Sequence, residues 1–378
     1  MGMTNIGGSE VAVAQAGDAI SNGQPTVKRI LLIKLRYLGD VVLCTPVLPL
    51  LRKQFPDAKM TFLVNPGTAG VLQDNPYLDE VWVLPRQSFW QQLRFIQRVR
   101  DAKFDTVIDL TDGDRSAFLA WVTGASARLG YNRDRHWRGK LYSQVLPSAY
   151  GSMHMVEYHQ QALVGLGINE SVGNPEIYMK NSETQQQDQE EFGDFFAKGQ
   201  PYVLVHPTAR YTFKAWPLER FAAVVDWLGG KGIRVALIGS QRERLIGQQI
   251  VNLSKHKPVN LMGNTRLSQL IALMRRSLLL IGNDGGPIHI AAAVGCQVLG
   301  LYGPTDPAVW GPRGANVKVI YKGLDCRECF YPGCSRGEES CMRQISIEEV
   351  CQTAQSMLPI DMGEGGQVCG ELVEKSLK

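Results

Sequence analysis

The chain has 378 residues, enough for two domains of ordinary size. Hydrophobic residues make up 44% of it and charged residues 20%, which excludes a disordered or fibrous chain and allows a substantial core. The formal net charge of +4 is too small to argue for nucleic acid, and no nucleic-acid partner is expected; it suits an acidic substrate or an anionic lipid.

Residues 1–26 are rich in Gly, Ser, Ala, Asn and Gln and lack the basic start and apolar run of a signal peptide, so they are expected to form a disordered extension. Arg29 to Lys34 is a short apolar run, predicted as a strand, and Leu35 to Asp40 leads into a helical pattern through Arg52. Strands follow at Lys59 to Val64 and Glu80 to Leu84, then a helix over Gln87 to Ala102 and a buried strand over Thr106 to Leu110. Residues 180–200 are dense in polar side chains, although Phe192, Phe195 and Phe196 suggest a packed helix; the domain junction is placed there. The alternation then restarts: strand Tyr202 to Val205, helix Leu218 to Leu228 opened by Pro217, strand Arg234 to Ile238 and helix Glu243 to Leu253. Strand Leu278 to Ile281, helix Ile288 to Val294 and strand Gln297 to Tyr302 complete the pattern. Such alternation predicts parallel sheets covered on both faces, with ligands at the carboxyl ends of the strands. The apolar runs at Ser277 to Ile281 and Ile288 to Val294 fall far short of membrane-spanning length, so a cytoplasmic, soluble chain is expected, at most peripheral on the inner face of the inner membrane.

Several segments carry candidate chemistry. Asn283-Asp284-Gly285-Gly286-Pro287-Ile288-His289 lies between a buried strand and a helix, where unpaired N–H groups and the helix dipole favour an anion such as a diphosphate; a tight turn with a buried His is the structural alternative. No GxGxxG follows the first strand, which speaks against a dinucleotide-binding dehydrogenase. Arg210 and Lys214, after the strand ending near His206, are placed on the rim of the second domain, where a cation would neutralise a leaving diphosphate. Glu243, shortly after another strand, is a candidate partner for ribose hydroxyls. Asp40, just past the first strand, is read equally as a general base or as a helix N-cap.

Asp112-Gly113-Asp114 spells an acidic pair of the metal-binding type, but it lies in the other half from the presumed donor and is read as loop structure or acceptor contact, with no metal assigned. Arg133, Arg135 and Arg138, in a basic and aromatic stretch, are candidate contacts to an anionic acceptor. Phe89, Trp90, Phe95 and Ile96 alternate with Arg94, Arg98 and Arg100 on the predicted helix, which suits either a core-packed face or docking at an anionic membrane. Eight cysteines are present, and Cys326, Cys329, Cys334 and Cys341 have a spacing that suits zinc or, alternatively, packed thiols.

Leu38-Gly39-Asp40-Val41 with Thr45-Pro46, Lys214-x-Trp216-Pro217, and Asn283-Asp284-Gly285-Gly286-Pro287-x-His289 followed by Tyr302-Gly303-Pro304-Thr305 together resemble the family-nine glycosyltransferases, the ADP-heptose lipopolysaccharide heptosyltransferases, over roughly residues 28–355. The resemblance implies an α/β GT-B fold, two Rossmann-like domains facing each other across a cleft. The acceptor-binding domain would span 27–185, the donor-binding domain 198–355, and a tail 356–378. It also implies an inverting, metal-independent transfer from ADP-heptose to the lipopolysaccharide core, without a cofactor, with Asp40 as general base. By the same resemblance Thr208 and Lys214 meet the donor phosphates, Glu243 the ribose, Thr265 the adenine, and Asp284, Gly285, Gly286 and His289 the diphosphate and sugar. Lys34-x-Arg36 and Phe55-Pro56-Asp57-Ala58 look more like the enzymes that add a third, branching heptose. Gly285 departs from the Thr that many heptosyltransferases carry. The rival readings are a family-nine transferase for another nucleotide sugar and a non-catalytic sugar-nucleotide binding protein; no oligomeric state is read.

Overall fold

The computed structural model describes residues 27–85, 88–179, 200–326, 329 and 334–359. The expected N-terminal extension, the polar junction with its Phe192 helix, and the tail beyond residue 359 lie outside the described residues. Among the described residues no helix is long and apolar enough to cross a membrane.

Strand β1 (Arg29–Lys34) shows why a parallel sheet forms. Ile30 and Leu32 enter one core layer and Leu31 and Ile33 the opposite one, all without solvent exposure, as the two-residue period of a strand requires. A strand buried on both faces belongs in the middle of a parallel sheet. It is joined by β2 (Lys59–Val64), β3 (Glu80–Val83), β4 (Thr106–Asp109), β5 (Ala127–Tyr131) and β6 (Gln144–Leu146) in the order β3-β2-β1-β4-β5-β6, every neighbouring pair parallel. Helices α1 (Leu38–Cys44), α2 (Val47–Gln54), α3 (Phe89–Asp101) and α4 (Asp114–Val122) lie between the strands, and α5 (Met155–Val164) follows β6.

The second half repeats the plan. It comprises β7 (Tyr202–His206), α6 (Leu218–Gly230), β8 (Arg234–Leu237), α7 (Arg244–Leu253), β9 (Val259–Asn260), α8 (Leu267–Arg276), β10 (Leu279–Asn283), α9 (Gly286–Ala293), β11 (Val298–Tyr302), α10 (Pro307–Trp310) and β12 (Val317–Tyr321), then α11 (Cys341–Gln344) and α12 (Ile347–Gln355). The order β12-β11-β10-β7-β8-β9 is that of the first sheet read backwards, so each sheet reverses direction between its own first and fourth strands, β1 and β4 or β7 and β10. In open parallel sheets, ligands sit outside the carboxyl ends at that switch point.

One core layer runs through both halves, from Ile30, Val41 and Leu48 to Leu280, Ile288 and Ala291, so the inner helices α1 and α9 join the two sheets. The outer layers are separate: α3 and α4 cover one, α6 and α12 the other.

The structure corrects the helix expected to run through Arg52. Pro46 has no N–H to continue the ladder, and the chain is divided into α1 and α2. Thr45, between them, gives its hydroxyl to the Val42 carbonyl at 2.8 Å and accepts the Glu176 amide at 3.2 Å. Strands β5, β6, β9 and β12 and helices α4, α5, α8, α10, α11 and α12 add to the elements expected from sequence; β9 has two residues and β6 exposes Gln144 and Val145, so neither carries an apolar run.

Trp216 anchors the second half. It is 1% exposed, meets Phe221 edge-on with ring centroids 4.9 Å apart, and donates its indole N–H to the Ile345 carbonyl at 3.0 Å. Replacing it with alanine empties a fully packed site, so Trp216→Ala should lower the stability of the second half by about 3–5 kcal/mol. Urea unfolding followed by far-ultraviolet circular dichroism checks this; an unchanged midpoint contradicts it.

Candidate functional site

The second switch point is built on Asn283, the last residue of β10. It is fully buried, accepts the Trp216 amide at 3.1 Å, and donates to the Pro207 carbonyl at 2.8 Å. One side chain therefore ties together the loops that follow β7 and β10 and the segment that carries Lys214. Lys214 reaches back to Asp284, Nζ to Oδ2 at 2.9 Å, and the Thr305 hydroxyl donates to the same oxygen at 2.8 Å. Lys214 follows β7 and is paired with Asp284.

Helix α9 begins at Gly286, with Pro287 in its first turn, where a missing N–H costs nothing. The remaining first-turn amides have no partner within the helix, and the dipole favours an anion there. Two buried histidines flank this end, His206 and His289, and the Nδ1 of each has no hydrogen-bond partner among the described residues. Gly285 is extended (φ −179°), and a Cβ there would meet His206 only at ordinary contact distance, 3.4 Å, so the backbone does not demand glycine. Thr208 lies 3.2 Å from His206 Nε2, and Glu243 is also within hydrogen-bonding reach of Thr208. Glu243 accepts the Ser240 amide at 2.6 Å, closing a short turn before α7. Despite the cost of burial, the Ser240 and Thr208 hydrogen bonds, aided by His206, hold its carboxyl below the usual range. Thr265 is half-buried at the entry to α8, apart from these contacts.

On the first half, Asp40 is the third residue of α1, not its N-cap; its Oδ2 accepts the Tyr37 amide at 3.3 Å. Its other oxygen lies 3.9 Å from the Lys34 ammonium. Lys34 is itself buried, donating to the Leu110 carbonyl at 2.8 Å and to His159 Nε2 at 3.3 Å. His159 is held far below the ordinary histidine range by burial and then by the adjacent Lys34 charge, so it stays neutral. Neither Lys34 nor His159 is singled out by a local motif as a partner of Asp40; a lysine ending a buried strand is the one available signal.

The two switch points meet. A Cβ on Gly39 would come within 2.8 Å of His289 Cδ2, and one on Gly286 would be 3.4 Å from Leu38 Cβ, so glycines let the starts of α1 and α9 touch. Arg210 crosses the same seam, its guanidinium 3.8 Å from the centre of the Tyr37 ring. Further along, His154 Nε2 lies 2.8 Å from the Gly311 carbonyl, and Arg313 pairs with both oxygens of Glu157 at 2.7 and 2.8 Å. His154 and Glu157 thus join the halves.

The basic stretch separates into different roles. Arg138 is 5% exposed and bridges Asp112 at 2.8 Å, Asp114 at 3.2 Å and Asp134 at 3.4 Å. This corrects its placement with the acceptor contacts, because its guanidinium is occupied by three carboxylates. It also accounts for the acidic pair, whose countercharge is an arginine. Arg133 stacks on Tyr150 at 4.2 Å and reaches Asp134 at 3.4 Å, and Arg135 is exposed. Among the described residues no group of three His, Cys, Asp or Glu side chains is arranged to hold a metal, and the described cysteines are free thiols.

The family model described as Glycosyltransferase family 9 (heptosyltransferase) matches residues 92–339. Lipopolysaccharide heptosyltransferase 3 of Escherichia coli K12 is 31% identical over 86% of this chain and 97% of its own length. Among solved structures, the family 9 glycosyl transferase of Veillonella parvula superposes with a TM-score of 0.77 at 27% identity, covering 87% of this chain and 97% of that one. The E. coli ADP-heptose lipopolysaccharide heptosyltransferase II superposes at 0.73 with 20% identity, covering 87% and 98%. The two sheets are those of the GT-B fold.

The buried histidines set an acid limit. Loss of hydration holds His154, His159, His206 and His289 below the ordinary 6.5, with His206 down to about 4. Below pH 6.5 the unfolded chain takes up protons that the folded chain refuses, so stability is full above 6.5 and falls as the pH drops towards the folded values. Each histidine contributes at most about 1.4 kcal/mol per pH unit in that window. Thermal melting should therefore show a midpoint that falls between pH 7 and 5, with a shallower slope in His206→Asn; equal midpoints across that range contradict it.

Proposed function

The chain belongs to glycosyltransferase family 9, and on that premise we propose that it transfers a heptose from ADP-heptose to the inner core of lipopolysaccharide, with inversion at the anomeric carbon. The observation that carries this reading is the meeting of the two switch points, with a carboxylate on one side and an anion-favouring helix start with a lysine on the other. Asp40 takes the proton from an acceptor hydroxyl, the oxygen attacks the anomeric carbon, and the ADP diphosphate leaves towards Lys214 and the amides at Gly286. Lys34 fixes the side of the carboxylate away from the substrate. Thr208 and Lys214 meet the phosphates, with Arg210 adding charge at the rim. Glu243 accepts from the ribose and Thr265 lies by the adenine. Asp284, Gly285, Gly286 and His289 surround the diphosphate and the sugar, and Asp284 keeps Lys214 aimed through their ion pair.

The acceptor side is read as the first half, residues 27–185, with Arg133 and Arg135 towards an anionic core sugar, and the donor side as residues 198–355. The likeness to lipopolysaccharide heptosyltransferase 3 favours addition of a third, branching heptose. Such an acceptor is lipid-anchored, so the enzyme is placed in the cytoplasm against the inner face of the inner membrane. No cofactor enters the reading. A divalent metal is not needed either: Lys214, Arg210 and the α9 dipole supply countercharge to the diphosphate, while Asp112 and Asp114 are engaged by Arg138.

A panel of ADP-heptose, UDP-sugars and GDP-sugars, scored by nucleotide release with and without a heptosylated core acceptor, tests the donor and the reaction together. Acceptor-dependent release of ADP is expected; release from a UDP- or GDP-sugar alone would replace the donor, and no release from any would leave a binding protein.

Asp40→Asn should lower turnover about a hundredfold or more while calorimetric affinity for ADP stays near the parent value. Turnover equal to the parent would reduce Asp40 to its contact with the Tyr37 amide.

Turnover should also be the same with magnesium and after brief exposure to excess EDTA. Loss of activity in EDTA that magnesium restores, reproduced by Asp112→Asn, would make the acidic pair a donor-metal site.

A further inference from the structure

The outer face of the first half carries a cluster of exposed aromatic side chains that the transfer reaction does not use. Helix α3 was read from sequence as one amphipathic stripe, but the structure divides it. Phe95 is buried edge-on against Trp82, with ring centroids 6.1 Å apart, and Val99 is fully buried. Phe89 and Trp90, in the first turn, point outwards, each 68% exposed, with Leu93 beside them. Helix α4 packs on α3 and adds Phe118 and Trp121, and the turn at Trp137–Leu141 packs on α4 and adds Trp137. Elsewhere in the described chain, large exposed apolar residues are mostly scattered; here six come from three adjacent elements. A soluble surface rarely leaves so large an apolar patch without a partner.

The charge of the face is one-sided. On α3 Arg94, Arg98 and Arg100 outnumber Asp101, and Arg115, Arg135 and Lys140 are exposed on the neighbouring elements. Arg138 offsets only one of the three nearby carboxylates of Asp112, Asp114 and Asp134, but with Arg133 beside Asp134 the cations of the face still outnumber its acids. Trp and Phe tips ringed by arginine match a bilayer interface, where the rings enter the headgroup region and the cations meet anionic lipid. The position fits as well. The first turn of α3 and the Trp137 turn follow carboxyl ends of strands, the same edge of the first sheet that holds Asp40, and Phe118 and Trp121 lie further along α4.

We propose that the face formed by the start of α3, the outer side of α4 and the turn at Trp137 docks on an anionic lipid bilayer, presenting the Asp40 edge to the membrane surface. This deepens the membrane placement given with the transfer reading, naming the surface that makes the contact.

The test uses the full chain and sucrose-loaded vesicles without lipopolysaccharide, of phosphatidylcholine alone or mixed with phosphatidylglycerol, so that it does not depend on sugar transfer. The parent should sediment with the mixed vesicles and far less with phosphatidylcholine. Trp90→Ala with Trp121→Ala should weaken binding about tenfold or more, as should Arg94→Gln with Arg115→Gln at low salt. Leu245→Ala, at an exposed site on α7 of the second half, should bind like the parent. Melting midpoints equal to the parent show that the variants are folded, and transfer to a delipidated core oligosaccharide should be unchanged in all of them. Absence of parent binding to the mixed vesicles, or equal binding by the paired variants, overturns the proposal while leaving the transfer reading intact. A parent dimer that the tryptophan variant dissociates overturns it too, by making the face a contact between copies of the chain.

Discussion

The touching starts of α1 and α9 are the constraint on which the rest of the site depends. Each helix start carries a partial positive charge from its unpaired amides. Two such ends in contact through Gly39 and Gly286 repel unless negative charge lies nearby. Asp40, in the first turn of α1, supplies part of it. His289 is wedged against Gly39, and a proton on its ring would add a third positive charge; burial keeps that ring below the ordinary histidine range although Asp284 and Asp40 pull the other way. The place is therefore poised for an anion, with a carboxylate at one border. A diphosphate leaving group and a proton acceptor need that division of charge.

The second half holds its loops with uncharged contacts and reserves its charges for the cleft. Asn283 and Trp216 are buried and fully engaged, and they fix the segment from which Lys214 projects. Lys214 then pairs with Asp284, whose carboxylate also takes the Thr305 hydroxyl. In the proposed reading an incoming phosphate would compete with a carboxylate for a lysine already placed, rather than meet one that must first be ordered. Positioning of this sort reduces the reorganisation that accompanies charge development in the transition state. On the first half Lys34 does the same for Asp40, held in turn by the Leu110 carbonyl and a neutral His159.

Much of this was legible in the sequence, and the exceptions have physical causes. The central strands announced themselves because burial on both faces requires unbroken apolar runs, as in Arg29 to Lys34 and Leu279 to Ile281. The positions of Gly39, Asp40 and Gly286 at strand-to-helix turns were legible because the close approach of two helix starts restricts residue type there. Edge strands such as β6 and β9 were not, since half-exposed pairing leaves no periodic signal. Thr305 and His206 lay within recognised motifs, but their contacts depend on loops brought together by Asn283. Arg138 misled because a run of arginines looks alike in sequence, whereas three carboxylates from separate positions single out one of them. That the helices bearing Trp90 and Trp121 and the turn bearing Trp137 lie side by side was not legible, for it depends on how α3, α4 and that turn pack.

The Arg138 cluster also connects the outer surface to the site. Asp112 sits in the left-handed region at φ 54°, which Asp tolerates better than most residues, and its carboxylate meets Arg138 at 2.8 Å. Asp114 is the first residue of α4, and Asp134 precedes the Trp137 turn, so the one guanidinium ties together the end of β4, the start of α4 and that turn. Removing it would leave three carboxylates facing one another in a partly buried place, a costly arrangement. Through Arg138 and the packing of α4 on β4 and on the Trp137 turn, the outer side of α4 is tied to the strand beside β1, whose end leads to Asp40.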